Sequence, residues 1–213
     1  MTVWFASGNA HKKGELASIL VASGFNGKLV MPSEAGLEFA PEETENTFHG
    51  NALLKACALH RLLLEKRPAL FSRGDPVIAD DSGICVDALG GRPGVYSARY
   101  AGAQCADAAR LSAGERNALL LGELGRNSNR NARFVCAMVL LTAADTFFLS
   151  QETMEGEIVA GPELAGGSGG FGYDPIFWLP ELGLTAADLS EAEKNRLSHR
   201  GKAGRRIAKI LID

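Results

Sequence analysis

Phe134-Val135-Cys136-Ala137-Met138-Val139-Leu140-Leu141 is the stretch around which the rest of the chain arranges itself. Continuously apolar and rich in strand-forming residues, it predicts a buried β-strand. Downstream, Thr146 to Leu149 and Thr153 to Ala160 extend the sheet as antiparallel neighbours, because no helical pattern separates them. Upstream, Val77-Ile78-Ala79 reads as a short buried strand that stops at the turn-forming, charged residues Asp80-Asp81-Ser82-Gly83. The chain opens with another short strand, Val3-Trp4-Phe5-Ala6, then a turn at Ser7-Gly8-Asn9, then Leu16, Ile19 and Leu20 at helical spacing. Phe48, Ala52, Leu53, Ala56 and Leu59 predict a second helix from about Thr47 to Lys66, closed by Pro68, with loop from there to Pro76. A further helix is expected from about Asp107 to Leu124. Ser190-Glu191-Ala192-Glu193 has the spacing of a capping box, and Arg206 to Ile212 forms a final amphipathic helix. Strands and helices interleave, so the class is α/β, with a mixed rather than purely parallel sheet.

Composition narrows the functions. The chain has 213 residues, 46% hydrophobic and 22% charged, enough for one substantial domain or two small ones. With 22 Lys+Arg against 25 Asp+Glu the formal net charge is -3, which supplies no basic field for a duplex backbone and argues against generic nucleic-acid binding. The longest apolar run, Val135 to Leu141, is far short of the ~20 residues a membrane helix needs, and no signal-peptide pattern stands at the N-terminus. Cys57, Cys85, Cys105 and Cys136 are scattered without a C-x-x-C pair, which predicts reduced, buried thiols and a cytoplasmic compartment.

Four segments carry residues suited to chemistry. In Ser7-Gly8-Asn9-Ala10-His11-Lys12 a helix start, a glycine, a hydroxyl, an amide and an ammonium are set to cradle a polyphosphate, although the Walker A spacing is absent. The same residues also describe a capped surface helix. Asp80 and Asp81 reach one ligand only if the chain turns at Ser82-Gly83, whereupon one aspartate binds a hard cation such as Mg²⁺ and the same group or its neighbour takes a proton from water. Glu42, Glu43 and Glu45 form an acidic patch that offers a further metal ligand or merely favours the following helix N-terminus.

Gly167-Ser168-Gly169-Gly170-Phe171-Gly172 satisfies G-x-G-x-x-G, yet the dinucleotide reading fails because Tyr173-Asp174-Pro175-Ile176-Phe177-Trp178 is not a helix start. A glycine loop followed by Phe171, Tyr173 and Trp178 suits a nucleobase, or the aromatics are simply core. Lys194 and Ser198-His199-Arg200, near a helix end or a break between helices, present donors for phosphate or purine oxygens, or a solvated helical face.

Taken in order, these segments resemble the inosine triphosphate pyrophosphatase family. The matching residues are Ser7-Gly8-Asn9 with Lys12; Phe48 with Asn51-Ala52 and Lys55-Ala56; Ala79 to Gly83; Leu89 to Tyr100; Gly169 to Pro175; and Glu193-Lys194 with Ser198-His199-Arg200-Gly201. The resemblance implies one nucleoside triphosphate pyrophosphatase domain over residues 1–213: an elongated mixed sheet with flanking helices and two lobes around a nucleotide cleft, working as a homodimer. It implies Mg²⁺-dependent hydrolysis of deaminated purine triphosphates to monophosphate and pyrophosphate.

By the same likeness Ser7 to Lys12 hold the triphosphate, Asp81 is general base and metal ligand, and Ser82 touches substrate. Phe171, Gly172, Tyr173, Asp174, Lys194, His199 and Arg200 form the base and sugar pocket, and Asp80, Glu42 or Glu43 complete the metal site. Ser7 stands where threonine is common, and Gly50 where many relatives carry glutamate. A 6-oxo purine accepts hydrogen bonds from fixed donors that an amino group leaves unpaired, the basis of selectivity against ATP. Two rival readings are a Maf-like pyrophosphatase for modified pyrimidine nucleotides, which lacks the Gly-Gly-Phe-Gly-Tyr-Asp and Ser-His-Arg blocks, and a non-catalytic nucleotide-binding module, which has no need of the acidic pair.

Overall fold

The computed structural model describes residues 1–101, 111–167 and 170–212. Seven strands form one sheet: β1 (Thr2–Phe5), β2 (Lys28–Val30), β3 (Val77–Val86), β4 (Asn131–Ala143), β5 (Thr146–Ile158), β6 (Phe177–Leu179) and β7 (Leu184–Thr185), in the order β2-β1-β3-β4-β5-β6-β7. β1 lies parallel to β2 and β3, whereas β6 is antiparallel to β5 and β7. The predicted α/β class and mixed sheet hold. Helices α1 (Ala10–Ala22) and α2 (Phe48–Lys66) form the crossovers between the first three strands, while only Ala144 and Asp145 separate β4 from β5, a connection that admits antiparallel neighbours alone.

The chain divides into two compact units. The first comprises Met1–Asp81, Cys136–Glu152 and His199–Asp213; the second, Ser82–Val135 and Thr153–Ser198. In the first unit strand alternation sorts side chains between two cores. Val3, Phe5, Ile78, Met138 and Leu140 pack with Leu16 and Leu20 of α1 and with Ala203 and Ile207 of α5 (His199–Ile212). Their neighbours Trp4, Ala6, Val77, Ala79, Val139 and Leu141 pack with Ala52, Ala56, Leu59 and Leu63 of α2. Covering on both faces explains why Phe134 to Leu141 is apolar without interruption, since a fully buried Leu or Phe contributes roughly 1.5–3 kcal/mol. In the second unit α3 (Ala113–Leu124) supplies Leu120 and Leu124 to a core with Ile84, Val86, Phe134, Ile158 and Phe177; α4 (Glu191–Leu197) belongs to the same unit.

Four sequence expectations change. β3 does not stop at Asp80 but continues to Val86, because both carboxylates find partners and Gly83 serves close approach rather than a turn: a Cβ there would lie 2.4 Å from the Gly94 carbonyl and from Ser97 Oγ. Thr146–Leu149 and Thr153–Ala160 are one strand, β5, whose polar middle is accommodated by partners such as Arg206, which bonds Glu152. α3 begins at Ala113, capped by Ser112 and Glu115; residues 107–110 lie outside the described residues. The last helix starts at His199, seven residues before the predicted point, since its first two turns bury Gly201, Ala203 and Gly204, and two glycines and an alanine leave no apolar period to read.

Cys57 and Cys85 are half-buried and Cys136 buried, all as free thiols; Cys105 lies outside the described residues. Among the described residues no helix is long and apolar enough to cross a membrane.

Candidate functional site

Alternation along β3 sends its two adjacent aspartates to opposite faces. Asp80 follows Ile78 toward α1 and α5. Its Oδ2 accepts from Lys12 Nζ at 3.0 Å and from Arg200 Nε and Nη2, each at 3.3 Å, and Arg200 also bonds Glu15. Burial pushes the Asp80 carboxyl up, but Lys12, Arg200 and Lys55 together outweigh it and hold the group well below the usual carboxylate range. Burial likewise disfavours the Arg200 charge, and Asp80 with Glu15 reverses that, raising its pKa. Arg200, expected to face a purine, thus has its guanidinium on Asp80 and Glu15.

Asp81 follows Ala79 toward α2. Asn51 Nδ2 donates to its Oδ2 at 3.3 Å and Lys55 Nζ to its Oδ1 at 3.0 Å; the two donors stand four residues apart on one helical face. Lys55 also reaches Glu43 Oε1 at 2.8 Å. Asn51 further fixes the preceding segment, donating to the Glu45 carbonyl at 3.1 Å and accepting from its N–H at 3.0 Å. Burial raises the Asp81 carboxyl above its ordinary value, with Glu43 adding to the rise and Lys55 only partly offsetting it. For Lys55 burial acts first and lowers its pKa, but Asp81, Asp80 and Glu43 more than compensate.

Asp80 and Asp81 are therefore not brought to one ligand by a turn, whereas Asp81 and Glu43 are gathered around one ammonium. Glu42 is exposed. Among the described residues no three His, Cys, Asp or Glu side chains gather as a closed metal cluster. Two carboxylates converging on one cation nonetheless fit Mg²⁺, which keeps most of its waters and takes one or two protein carboxylates. Lys55 and Asn51 are functional candidates to which the sequence assigned no role. Their signal was an asparagine and a lysine four residues apart within an otherwise apolar helical stripe.

Where β1 runs into α1, beside Asp80, Ser7 Oγ accepts from the Asn9 N–H at 3.1 Å, and Asn9 caps α1 by accepting from the Lys12 N–H at 3.2 Å. Gly8, Ala10 and His11 are exposed at this helix start, the end of a helix that attracts anions.

The remaining predicted residues, apart from His199, belong to the second unit. Asp174 Oδ2 accepts from the Phe171 N–H and from Lys194 Nζ, each at 2.6 Å. Gly170 is required beside it, with φ +87 and a Cβ position 2.8 Å from Asp174 Cβ. Asn117 Nδ2 holds the Gly172 carbonyl at 3.1 Å. Of the three candidate stacking rings Phe171 alone is well exposed; Tyr173 is buried with its hydroxyl on the Ser97 carbonyl at 2.9 Å, and Trp178 packs half-buried against the second core. Ser82 is half-buried on β3. No α-helix follows the glycine loop, which leads through a 3-10 turn (Asp174–Ile176) into β6, so its dinucleotide-like spacing has no dinucleotide-binding context; Ser168 and Gly169 lie outside the described residues. Ser198 ends α4 and buried His199 opens α5, the break anticipated from the sequence.

Comparison with known proteins gives this arrangement a context. The model of the Ham1 family matches residues 3–210. A dITP/XTP pyrophosphatase from Treponema denticola is 42% identical over 211 residues, spanning 99% of this chain and 98% of its own. One from Thioalkalivibrio sulfidiphilus is 46% identical over 215 residues, with 99% and 98% covered. The solved Ham1 protein of Staphylococcus aureus superimposes with a TM-score of 0.79 at 36% identity, over 99% of this chain and 98% of that one.

Proposed function

The chain belongs to the Ham1 family, and from that premise we propose that it hydrolyses deaminated purine nucleoside triphosphates, namely ITP, dITP and XTP, to the monophosphate and pyrophosphate with Mg²⁺ as cofactor. The observation that carries the reading is the buried Asp81 carboxylate, raised in pKa and grouped with Glu43 around Lys55, in a chain whose near-full-length relatives are named dITP/XTP pyrophosphatases. Asp81 and Glu43 would hold the ion; Glu42, exposed, and Asp80, committed to Lys12 and Arg200 on the other face, would not. Bound there, Mg²⁺ supplies charge neutralisation on phosphate oxygens that would otherwise repel an incoming water.

The chain's own residues do the rest. Asp81 accepts the proton of the attacking water at a carboxylate oxygen. Asn51 fixes the orientation of that carboxylate. The α1 start, from Ser7 through Lys12, binds the triphosphate with backbone N–H groups and one ammonium. Ser82 touches substrate, and Phe171, Gly172, Tyr173, Asp174, Lys194 and His199 serve base and sugar, Phe171 offering its exposed ring for stacking and Asp174 bracing both the loop and Lys194. Arg200 acts through Asp80. A homodimer in the cytoplasm, without nucleic-acid or membrane partners, belongs to the same proposal; the exposed apolar run Phe147, Phe148 and Leu149 on β5 supports self-association.

The test is a nucleotide panel with Mg²⁺. ITP, dITP and XTP should release pyrophosphate, with ATP and GTP far poorer. Stoichiometric orthophosphate without pyrophosphate would overturn the cleavage assignment.

A further inference from the structure

Lys55 occupies a singular position. Its Nζ stands 2.8 Å from Glu43 Oε1 and 3.0 Å from Asp81 Oδ1, and the residue is only 8% exposed. A magnesium ion needs its oxygen ligands at about 2.0–2.1 Å. An ammonium and a divalent ion therefore do not fit between the same two oxygens, and at contact distance in a buried setting their repulsion far exceeds thermal energy.

We propose that Lys55 is the resident counter-ion of the Glu43–Asp81 pair and competes with the divalent ion for it, so that the chain holds the ion weakly until a triphosphate brings further negative charge. The inference rests on the reading of Glu43 and Asp81 as metal ligands.

The two carboxylates do not depend on Lys55 alone for their placement. Asp81 lies within β3 with Asn51 on its other oxygen, and the segment carrying Glu43 is tied to α2 by both Asn51–Glu45 hydrogen bonds. Removing the ammonium then leaves two nearby carboxylates with a cation position between them. Lys55 thereby makes ion uptake conditional: it stabilises the empty pair and sets the affinity that the ion must overcome.

The measurement is Mn²⁺ binding to the full chain without nucleotide, by electron paramagnetic resonance, for the wild type, Lys55→Met, Lys55→Gln and Asp81→Asn. Both Lys55 variants should bind Mn²⁺ about tenfold tighter or more, because a positive charge has left the site. Equal or weaker binding in the Lys55 variants overturns the inference and leaves the metal reading intact. Unchanged binding in Asp81→Asn overturns the metal reading itself. A second readout uses the wild type alone: acetylation of Lys55, mapped by mass spectrometry, should rise severalfold when saturating Mg²⁺ displaces the ammonium. A rate indifferent to Mg²⁺ also overturns the inference.

Discussion

The two faces of β3 hold adjacent carboxylates under opposite electrostatic regimes. On the α1–α5 face Asp80 has two cations on one oxygen, Lys12 at 3.0 Å and Arg200 at 3.3 Å, which hold it ionised despite complete burial. On the α2 face Asp81 has one lysine, shared with Glu43, and an asparagine, so burial prevails and its carboxyl is raised. A carboxylate saturated with cations is a structural anion with little basicity left to use. One that is desolvated and under-compensated is poised to take a proton or a metal ion. The difference arises from which helix each residue meets, and sequence adjacency alone cannot separate them.

The largest expected effect follows directly. Asp81→Asn keeps shape but removes the basic oxygen, so kcat should fall by about 10²–10⁴ while the chain stays folded, its far-UV circular dichroism unchanged. Asp80→Asn should do the reverse. It leaves Lys12 and Arg200 without their shared carboxylate and should cost about 3–5 kcal/mol in denaturant unfolding, with turnover per folded molecule reduced far less than in Asp81→Asn. If Asp80→Asn abolishes turnover at full stability, the division of labour between the faces is reversed.

Next comes the acidic patch. Glu43→Gln should weaken Mn²⁺ binding about tenfold, whereas exposed Glu42→Gln should leave it unchanged; equal effects would remove the distinction that Lys55 draws between them. The smallest effect is in pH. Asp80, depressed in the folded state, contributes stability that is present above its unfolded pKa of about 3.9 and lost as pH falls toward the lower folded value. Asp81, raised, contributes stability that is complete below that same unfolded pKa and lost as pH rises through the folded value. Unfolding free energy measured against pH should therefore lose an acid-side slope in Asp80→Asn and gain relative stability above pH 4 in Asp81→Asn, about 1.4 kcal/mol per unit of pKa difference. Shifts of the same sign in both variants would refute the contrast.

Periodicity made much of this molecule legible. Leu16, Ile19 and Leu20 marked the buried stripe of α1, Ala52, Ala56 and Leu59 that of α2, and Phe134 to Leu141 the central strand, because burial on a repeating backbone imposes a repeating apolar pattern. Capping boxes worked for the same local reason, as at Ser190 with Glu193. Where the signal was long-range, local rules misled. Asp80-Asp81-Ser82-Gly83 has the composition of a turn, and it is strand only because Lys12, Arg200, Lys55 and Asn51 arrive from three helices to pair the carboxylates and Ser97 comes up against Gly83.

The candidate site divides in the same way. Sequence alone determined the residue types: a glycine-containing helix start, an acidic pair, a glycine-aromatic loop and a late cluster of cations, all of which resemble one enzyme family. Tertiary structure decided their partners and exposure, by turning Arg200 onto Asp80, burying Tyr173 while exposing Phe171, and joining Glu43 rather than Glu42 to Asp81 through Lys55. The physical reason is that a side chain's chemistry is intrinsic to its residue type, whereas its charge state and partners depend on desolvation and on distances of about 3 Å between groups far apart in the chain.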